Sequence, residues 1–167
     1  TGAIMGAAMF ILGRIPGVQR PSIAGFFPNL RGSSVVLDIG SNVDCKPDHL
    51  VQFARMGTIY ARQALDNDDP TVGLINIGEE PGKGNEVVKE AYERLREVDD
   101  IHFKGNVEGG DLLLYAADIL ICDGFVGNVL LKFGASMTTV LSEMTKQEMN
   151  RQGLSDDEQA LVSNVLG

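Results

Sequence analysis

The segment from Ala117 to Lys132 constrains the fold more than any other part of this chain. An apolar run, Ile119-Leu-Ile-Cys122, passes directly into an acid, two glycines, an asparagine and an apolar stretch. In parallel α/β sheets, ligands bind outside the carboxyl ends of the strands, where glycines let backbone amides approach and the positive end of the next helix points inward. The segment therefore predicts a strand, a binding loop and a helix, in that order.

Three more apolar runs end in the same way, and helical patterns lie between them. The predicted strands cover residues 34–39, 72–77, 101–104 and 119–122. The predicted helices cover residues 47–65, 85–98 and a long stretch from 126. Strands that alternate with amphipathic helices favour a parallel sheet with helices on both faces. We therefore predict an α/β fold of three αβα layers with a mostly parallel sheet.

The charge balance argues against nucleic-acid binding. The formal net charge is −9, from 14 basic and 23 acidic residues, whereas a general nucleic-acid binder carries a basic stripe on one face. The charge is uneven, because residues 1–62 hold six basic and only three acidic residues. An acidic partner is expected to prefer this first portion, although solvated surface charge explains the pattern equally well.

No metal and no cofactor are expected. Cys45 and His49 have the spacing of half a zinc site, but no second pair follows and His102 stands alone. Cys45 and Cys122 lie in unrelated segments and are expected to be reduced, in a cytoplasmic protein. The apolar run at residues 3–12 is too short to cross a bilayer and predicts a buried helix.

Three regions are expected along the chain. Residues 1–32 are predicted to be an apolar helix and an extended loop that belong to a larger fold, because three prolines and three glycines fall between positions 14 and 32. Residues 33–145 are predicted to be a Rossmann-like α/β catalytic core, and residues 146–167 a polar and then helical tail. The chain starts without Met, so an internal piece of a longer protein is expected.

The glycine-rich loop from Gly78 to Gly84 carries Lys83 but is not a nucleotide P-loop. That motif has four residues between its first glycine and its Gly-Lys pair, and a Ser or Thr directly after the lysine. Here three residues separate Gly78 from the Gly-Lys pair, and Gly84 follows the lysine. Free amides, one lysine and a helix start can still hold phosphate, and a flexible turn is an equally good interpretation. No dinucleotide fingerprint and no nucleophile elbow occur, so positioning rather than covalent catalysis is expected.

Four asparagines fall at the predicted carboxyl edge of the sheet or at the helix starts after it: Asn42, Asn85, Asn106 and Asn128. Each one alone is explained by a helix cap or an Asx turn. Four together supply oriented donors for phosphate or carbonyl oxygen without added charge. Three acids share this edge, namely Asp38, Glu108 and Asp123. Asp123 is expected either to orient a lysine or to cap the helix that follows.

Five motifs point to one family. They read Val-Leu-Asp-Ile-Gly-Ser-Asn-Val-Asp-Cys-Lys-Pro-Asp-His-Leu-Val-Gln-Phe-Ala at 36–54, Gly-Leu-Ile-Asn-Ile-Gly-Glu-Glu at 73–80, Lys-Gly-Asn-Glu at 83–86, Gly-Asn-Val-Glu-Gly at 105–109 and Cys-Asp-Gly-Phe-Val-Gly-Asn-Val-Leu-Leu-Lys at 122–132. With these motifs the sequence closely resembles the PlsX-type phosphate acyltransferases of bacterial phospholipid synthesis. The resemblance covers roughly residues 1–135.

The resemblance implies an enzyme that passes a fatty acyl group from acyl-carrier protein to inorganic phosphate and so forms acyl phosphate. It also implies a cytoplasmic homodimer, similar in fold to phosphotransacetylases and to isocitrate and isopropylmalate dehydrogenases. Peripheral membrane association is consistent with a lipid product. Members of this family start upstream of Thr1 and continue past Gly167, so a site shared with further strands is expected.

The predicted site residues follow from their positions in these loops. Lys83, Asn106 and Asp123 are the predicted catalytic residues. The predicted substrate-binding residues are Asn42, Gly84, Asn85, Gly105, Gly124, Asn128 and Lys132. The turns that carry them are expected to converge on one anion-sized hollow.

Three other functions stay open. A phosphotransacetylase that uses acyl-coenzyme A would share the fold and the phosphate chemistry. A decarboxylating dehydrogenase of the same fold would need an acidic metal cluster and a nicotinamide site. A truncated, non-catalytic domain would bind phosphate or carrier protein without turnover.

Overall fold

The computed structural model describes residues 2–166. The chain divides into two compact units, with the division between Leu130 and Leu131. The strands are β1 (Ala24–Asn29), β2 (Gly32–Leu37), β3 (Thr71–Asn76), β4 (His102–Glu108) and β5 (Ile119–Ile121). The helices are α1 (Gly2–Ala7), α2 (Pro47–Ala64), α3 (Glu86–Arg96), α4 (Gly124–Gln152) and α5 (Asp156–Leu166). The predicted domain boundaries after residues 32 and 145 stay predictions.

The strands of the first unit form one sheet in the order β1-β2-β5-β3-β4. β1 runs antiparallel to β2, and all other neighbours are parallel. β5 lies in the centre, because Ile119 pairs with Val35 of β2 on one side and with Val72 of β3 on the other. The predicted α/β fold with a mostly parallel sheet is therefore confirmed.

Helices cover both faces of this sheet. On one face, α2 and α3 contribute side chains such as Phe53 and Leu95 to a buried apolar cluster. On the other face, Val126 and Leu130 of α4 pack against a second cluster that contains Leu120. Successive strand residues point to opposite faces, so the central strand contributes to both clusters. Full burial of each such side chain stabilises the fold by about 1.5–3 kcal/mol.

α2 begins and packs as its sequence indicates. Pro47 occupies the first turn, where its missing N–H costs no helical hydrogen bond. The Lys46 backbone N–H donates to Nδ1 of His49 at 3.1 Å and so caps the helix start. Gly57 lies so close to the sheet that a Cβ there would be 2.7 Å from Cγ2 of Ile119. The predicted small-residue face therefore lets α2 lie directly on the strands.

β1 lies in the stretch between residues 14 and 32 that was expected to be an extended loop, so that expectation is wrong at this point. Among the strands described, β1 lies at the edge of the sheet and pairs with β2 alone. An edge strand tolerates Pro28, because a residue without an N–H can face away from the ladder. The proline and glycine signals that indicate a loop are therefore compatible with a strand here.

β4 continues past the predicted strand end at Lys104 and ends at Glu108. Its pairing with β3 is irregular beside Gly73, where Lys104 is an extra residue. Gly105 has a φ of 111°, which glycine adopts without strain. Gly105 therefore belongs to a β-bulge rather than to the end of the strand, and Asn106 lies inside β4 instead of in the loop after it.

The first apolar segment does not form the buried helix that its composition predicts. It forms α1 and a π-helical turn at Ala8–Leu12, and no residue of this turn is buried. Phe10 is 93% exposed. The prediction of burial is wrong because an apolar run is buried only where another element packs on it, and nothing within residues 2–166 does so here.

The second unit consists of the later part of α4 and of α5. α4 ends at Gln152, and Gly153, with a φ of 72°, closes it in the left-handed conformation. The Ser155 backbone N–H donates to Oε2 of Glu158 at 2.8 Å, which caps the start of α5. α4 is long and apolar enough to cross a membrane by length and composition alone, a property that core helices of soluble proteins share.

Candidate functional site

Two loops follow strands at the carboxyl edge of the parallel part of the sheet, where α/β proteins bind ligands. The Asp38 loop, residues 38–42, follows β2 and contacts the start of α4. The Lys83 loop, residues 77–85, follows β3 and leads into α3. Because β2 and β3 are both parallel to β5, the two loops leave the sheet at the same edge.

The Asp38 loop is organised by one buried carboxylate. Asp38 is fully buried, and it accepts hydrogen bonds from the backbone N–H groups of Ser41 at 3.1 Å and Asn42 at 2.7 Å. The buried Asn42 side chain donates through Nδ2 to Oδ2 of Asp38 at 2.7 Å and to the carbonyl oxygen of Pro21 at 2.8 Å. The amides that a phosphate would use in this loop are therefore already taken by Asp38.

Glycines bring the first turn of α4 into direct contact with the Asp38 loop. The Gly124 backbone N–H donates to the Asn42 carbonyl oxygen at 2.8 Å. A Cβ on Gly124 would lie 2.8 Å from the Asn42 nitrogen, and a Cβ on Gly127 would overlap the carbonyl oxygen of Asp38. A side chain at either position would have to push the helix off the loop.

Asp123 and Asn128 flank this contact. Oδ1 of Asp123 accepts from the Val126 backbone N–H at 2.8 Å, so Asp123 caps α4, which is one of the two roles expected for it. Asn128 packs over Gly40, where a Cβ would lie 2.7 Å from the amide nitrogen of Asn128. Lys132 lies on α4 within the second unit and is exposed.

The Lys83 loop is shaped by Asn76, the last residue of β3. Its Nδ2 donates to the Lys83 carbonyl oxygen at 3.0 Å, and its Oδ1 accepts from the Ile77 backbone N–H at 2.8 Å. Gly84, with a φ of 91°, leaves room for this side chain, since a Cβ there would lie 2.6 Å from Oδ1. Nζ of Lys83 lies 4.0 Å from the Glu80 carboxylate, and the Lys83 side chain is half exposed. Its ammonium group is therefore accessible to an anion.

The start of α3 adds backbone donors to the Lys83 loop. Asn85 caps the helix, because its Oδ1 accepts from the Val88 backbone N–H at 2.9 Å. In the part of the chain that the structure describes, the backbone N–H groups of Gly84, Asn85 and Glu86 donate no hydrogen bond to the protein. Such amides carry the positive end of the helix dipole and are suited to binding anions.

Asn106 reaches the Lys83 loop from β4. It is buried, and its Nδ2 donates to the Glu80 carbonyl oxygen at 2.9 Å, whereas its Oδ1 is buried without a hydrogen-bond partner. Gly105 and Asn106 both line an open cleft of about 440 Å³ along the edge of β4. Tyr92 and Tyr115 form part of its wall.

These contacts gather the predicted site residues into two groups. The group at the Asp38 loop consists of Asn42, Asp123, Gly124 and Asn128. The group at the Lys83 loop consists of Lys83, Gly84, Asn85 and Asn106. Within residues 2–166, no hydrogen bond or ion pair joins one group to the other. Convergence on one anion-sized hollow therefore stays a prediction.

The two groups differ in electrostatic character. Burial, followed by the negative charges of Asp123 and Asp38, raises the pKa of the Cys45 thiol to about 11. Cys45 lies just after the Asp38 loop, and the carboxylates of Asp38 and Asp123 contribute negative charge there. The Lys83 loop instead has an accessible ammonium group and a helix start, although the exposed Glu79 and Glu80 lie in the same loop. An anion is therefore expected at the Lys83 loop.

Sequence reasoning missed the part that two residues play in shaping these loops. The sequence pattern places Asn76 only in a strand and Asp38 only at the edge of the sheet. A usable signal is present in both cases, because an Asn or Asp stands at the end of an apolar run and two residues before a glycine. Such short polar side chains accept hydrogen bonds from the amides of the turn that follows.

Known proteins agree with the resemblance found in the sequence. The phosphate acyltransferase of Salinibacter ruber is 78% identical over 166 residues, which are 99% of this chain and 49% of that protein. The phosphate acyltransferase of Chlorobaculum parvum is 52% identical over 159 residues, which are 93% of this chain and 47% of that protein. The chain thus spans about half the length of the curated relatives it matches.

The fold has a solved counterpart. The EutD phosphotransacetylase from Staphylococcus aureus matches 79% of this chain and 46% of its own chain, with a TM-score of 0.58 and 17% sequence identity. This likeness confirms the predicted phosphotransacetylase-like fold. A family model described as "Fatty acid synthesis protein" matches residues 1–167. The chain therefore belongs to the fatty acid synthesis protein family, together with relatives that are named phosphate acyltransferase.

Proposed function

We propose that the protein to which this chain belongs transfers a fatty acyl group from acyl-carrier protein to inorganic phosphate and so makes acyl phosphate for phospholipid synthesis. The family description and the names of the relatives support acyl transfer to phosphate. The carrier-protein donor and the lipid pathway rest on the resemblance of the five sequence motifs. The proposal concerns the whole protein, because the chain spans about half the length of its relatives.

One observation carries this proposal, namely the combination of donors at the Lys83 loop. The Lys83 side chain is half exposed, and the amides of Gly84 and Asn85 have no acceptor among the described residues of the chain. Asn106 supports the loop from β4 through the Glu80 carbonyl oxygen. A phosphate ion, with several charged oxygens, matches a lysine and a set of amides at a helix start.

In the proposed reaction, an oxygen of phosphate attacks the carbonyl carbon of the acyl thioester. The new C–O bond gives a tetrahedral oxyanion, which collapses as the C–S bond breaks and the carrier leaves as a thiolate. The thiolate takes up a proton from water. Holding the two reactants together can lower the barrier by about 7–11 kcal/mol, and each donor to the oxyanion by about 3 kcal/mol.

We assign different roles to the predicted site residues in this scheme. Lys83, with Gly84 and Asn85, binds the phosphate, and Asn106 holds the loop that carries them. Asp123 fixes the start of α4, which flanks the thioester. The remaining predicted substrate-binding residues keep that role as part of the proposal: Asn42, Gly105, Gly124, Asn128 and Lys132.

We also propose that the protein is a cytoplasmic homodimer that associates peripherally with the membrane to hand over its lipid product. The exposed apolar residues support such contacts, since Phe10 is 93% and Phe133 is 64% exposed. Sedimentation of the full-length protein tests the dimer, and flotation with anionic lipid vesicles tests the membrane contact. A monomer that stays with the aqueous fraction would contradict both.

The activity is tested by release of free thiol from acyl-acyl-carrier protein in the presence and absence of phosphate. The protein to use is the full-length relative from Salinibacter ruber with residues 1–167 of this chain in place of its matching segment. We expect Lys83→Ala to raise the KM for phosphate about 10- to 100-fold, as loss of a hydrogen bond to a charged group does. Asn106→Ala is expected to lower kcat, because the loop loses its support from β4.

Lys89→Ala is the matched control, since Lys89 is a lysine of α3, the helix that follows the Lys83 loop, and pairs with Glu86. It is expected to leave the phosphate KM unchanged. Thiol release that needs acyl-coenzyme A instead of the carrier protein would favour a phosphotransacetylase. Phosphate binding in calorimetry without any thiol release would favour a non-catalytic binding domain. Full activity of both Lys83→Ala and Asn106→Ala would contradict the site.

A further inference from the structure

The Asp38 carboxylate is the most densely hydrogen-bonded side chain at the carboxyl edge of the sheet. Its two oxygens accept from six donor groups, four backbone amides and two side chains. The donors are the backbone N–H groups of Ile23, Gly40, Ser41 and Asn42, the Ser41 hydroxyl and Nδ2 of Asn42. Asp38 is fully buried, and within residues 2–166 no Lys, Arg or His forms an ion pair with it.

The backbone that Asp38 holds is the surface on which α4 starts. The Asn42 carbonyl oxygen accepts from the Gly124 backbone N–H at 2.8 Å. Gly127 packs on the Asp38 carbonyl group so closely that a Cβ would overlap its oxygen. Side chain and backbone of Asp38 therefore act together, since the carboxylate sets the path of residues 40–42 and that path sets the position of the first turn of α4.

We infer that Asp38 is a positioning residue of the proposed active site, which holds the first turn of α4 in register with the Lys83 loop without touching the substrate. The inference rests on the proposed function. A buried carboxylate is suited to this task because it is an acceptor at every lone pair. It also fills the place that an anion would take among the amides of residues 40–42, so phosphate is directed to the Lys83 loop.

Asp38→Asn tests this role with the smallest change of shape. One carboxylate oxygen becomes an NH₂ group, which faces N–H donors and cannot accept from them. In the full-length chimeric protein we expect kcat for phosphate-dependent thiol release to fall about 100-fold, as for a displacement of about 1 Å near reacting groups. The KM for phosphate is expected to stay within about twofold, because the Lys83 loop does not contact Asp38.

Ser41→Ala is a milder variant that keeps the protein folded if Asp38→Asn does not. It removes only the hydroxyl, which donates to the Asp38 carboxylate and lies 2.6 and 2.5 Å from its two oxygens, so kcat is expected to fall about twofold to tenfold. Ser34→Ala is the matched structural control. Ser34 is a buried residue of β2, the strand that leads into the Asp38 loop, and its hydroxyl donates to the Ala117 carbonyl oxygen at 2.6 Å, away from that loop. The Ser34→Ala variant is expected to keep the kcat of the unmodified protein.

Hydrogen exchange separates this inference from the proposed function. In the Asp38 and Ser41 variants, faster exchange is expected at residues 40–42 and 124–128, and in Ser34→Ala it is not expected there. An inactive wild-type protein would contradict the proposed function, whereas the exchange pattern would still decide the positioning role. Unchanged exchange at 124–128, or a kcat equal to that of Ser34→Ala at the same thermal stability, would overturn the inference.

Discussion

At Gly127, the backbone of α4 lies against the carbonyl oxygen of Asp38 with no room for a side chain. We expect Gly127→Ala to destabilise the fold by about 1–3 kcal/mol, because the added methyl group forces the helix or the loop to shift. Urea unfolding followed by circular dichroism measures the change. Gly110→Ala is the control, since a Cβ there meets no atom within 4 Å. Equal losses of stability in both variants would speak against the tight contact.

At the same scale, the sequence locates the loops of the site better than it locates their ligands. Asn42 is at the edge where it was expected, yet its amide points inward to Asp38 and to the carbonyl oxygen of Pro21. Asn85 caps α3, which was its alternative explanation. Whether an asparagine amide faces solvent or a buried partner depends on residues that are distant in sequence, as Pro21 is from Asn42. A single sequence contains no direct signal for such contacts.

At the scale of elements, the start of α2 gives the fold a dependence on pH. His49 is buried, and its Nδ1 accepts from the Lys46 backbone N–H at 3.1 Å only while that nitrogen is unprotonated. Burial, followed by the positive charges of Arg20 and Lys46, lowers the pKa of His49. Below about pH 6.5, His49 is therefore protonated to a greater extent in the unfolded chain than in the folded one. The free energy of unfolding is expected to fall from there toward the folded-state pKa.

His49→Gln tests this link between protonation and the helix cap. Gln is a natural residue at the third position of a helix because its side chain accepts from the capping N–H, and it does not titrate. We expect the free energy of unfolding to change less between about pH 7.5 and pH 5.5 than in the unmodified chain. Urea unfolding at both pH values measures this. His102→Gln, which changes an exposed histidine, is expected to keep the original dependence; the same fall in His49→Gln would refute the explanation.

Helices and strands are predicted correctly where one periodicity dominates the sequence. The prediction fails where glycine or proline is compatible with a strand as well as with a loop. Apolar spacing predicts α2 and α3; α2 starts at the predicted residue, and the other three ends differ from the prediction by one or two residues. Gly105 was interpreted as a strand end although it belongs to a bulge inside β4. Pro28 was interpreted as part of a loop although it lies on an edge strand. Whether such a glycine or proline lies in a loop or in a strand depends on the strand that pairs with it, and that strand can be distant in sequence.

At the scale of the whole molecule, the chain exposes apolar side chains that its own fold does not use. Phe10, Ile11 and Leu12 are 93%, 81% and 84% exposed. Replacing all three by Ser is therefore expected to change the melting temperature of the chain little while lowering aggregation and the binding of a hydrophobic dye. Light scattering and dye fluorescence measure these effects.

The control for this change is a buried residue. Leu50→Ala is expected to cost about 2–5 kcal/mol, because Leu50 is 1% exposed and belongs to the core under α2. If the triple Ser variant lost as much stability as Leu50→Ala, residues 10–12 would have to pack on the core in solution.

The order of the strands has a consequence for synthesis. Of the five strands described, β5 is the last to emerge from the ribosome, yet it is the one that joins β2 to β3 in the sheet. A nascent chain that stops before Ile119 therefore holds two half-sheets whose facing edges are unpaired, and such edges are templates for aggregation. When residues 119–121 insert, the same stretch of chain delivers Gly124 and Gly127 onto the Asp38 loop. The sheet is therefore completed in the same step that brings α4 onto the Asp38 loop. A chain that stops before Ile119 has neither the joined sheet nor this contact.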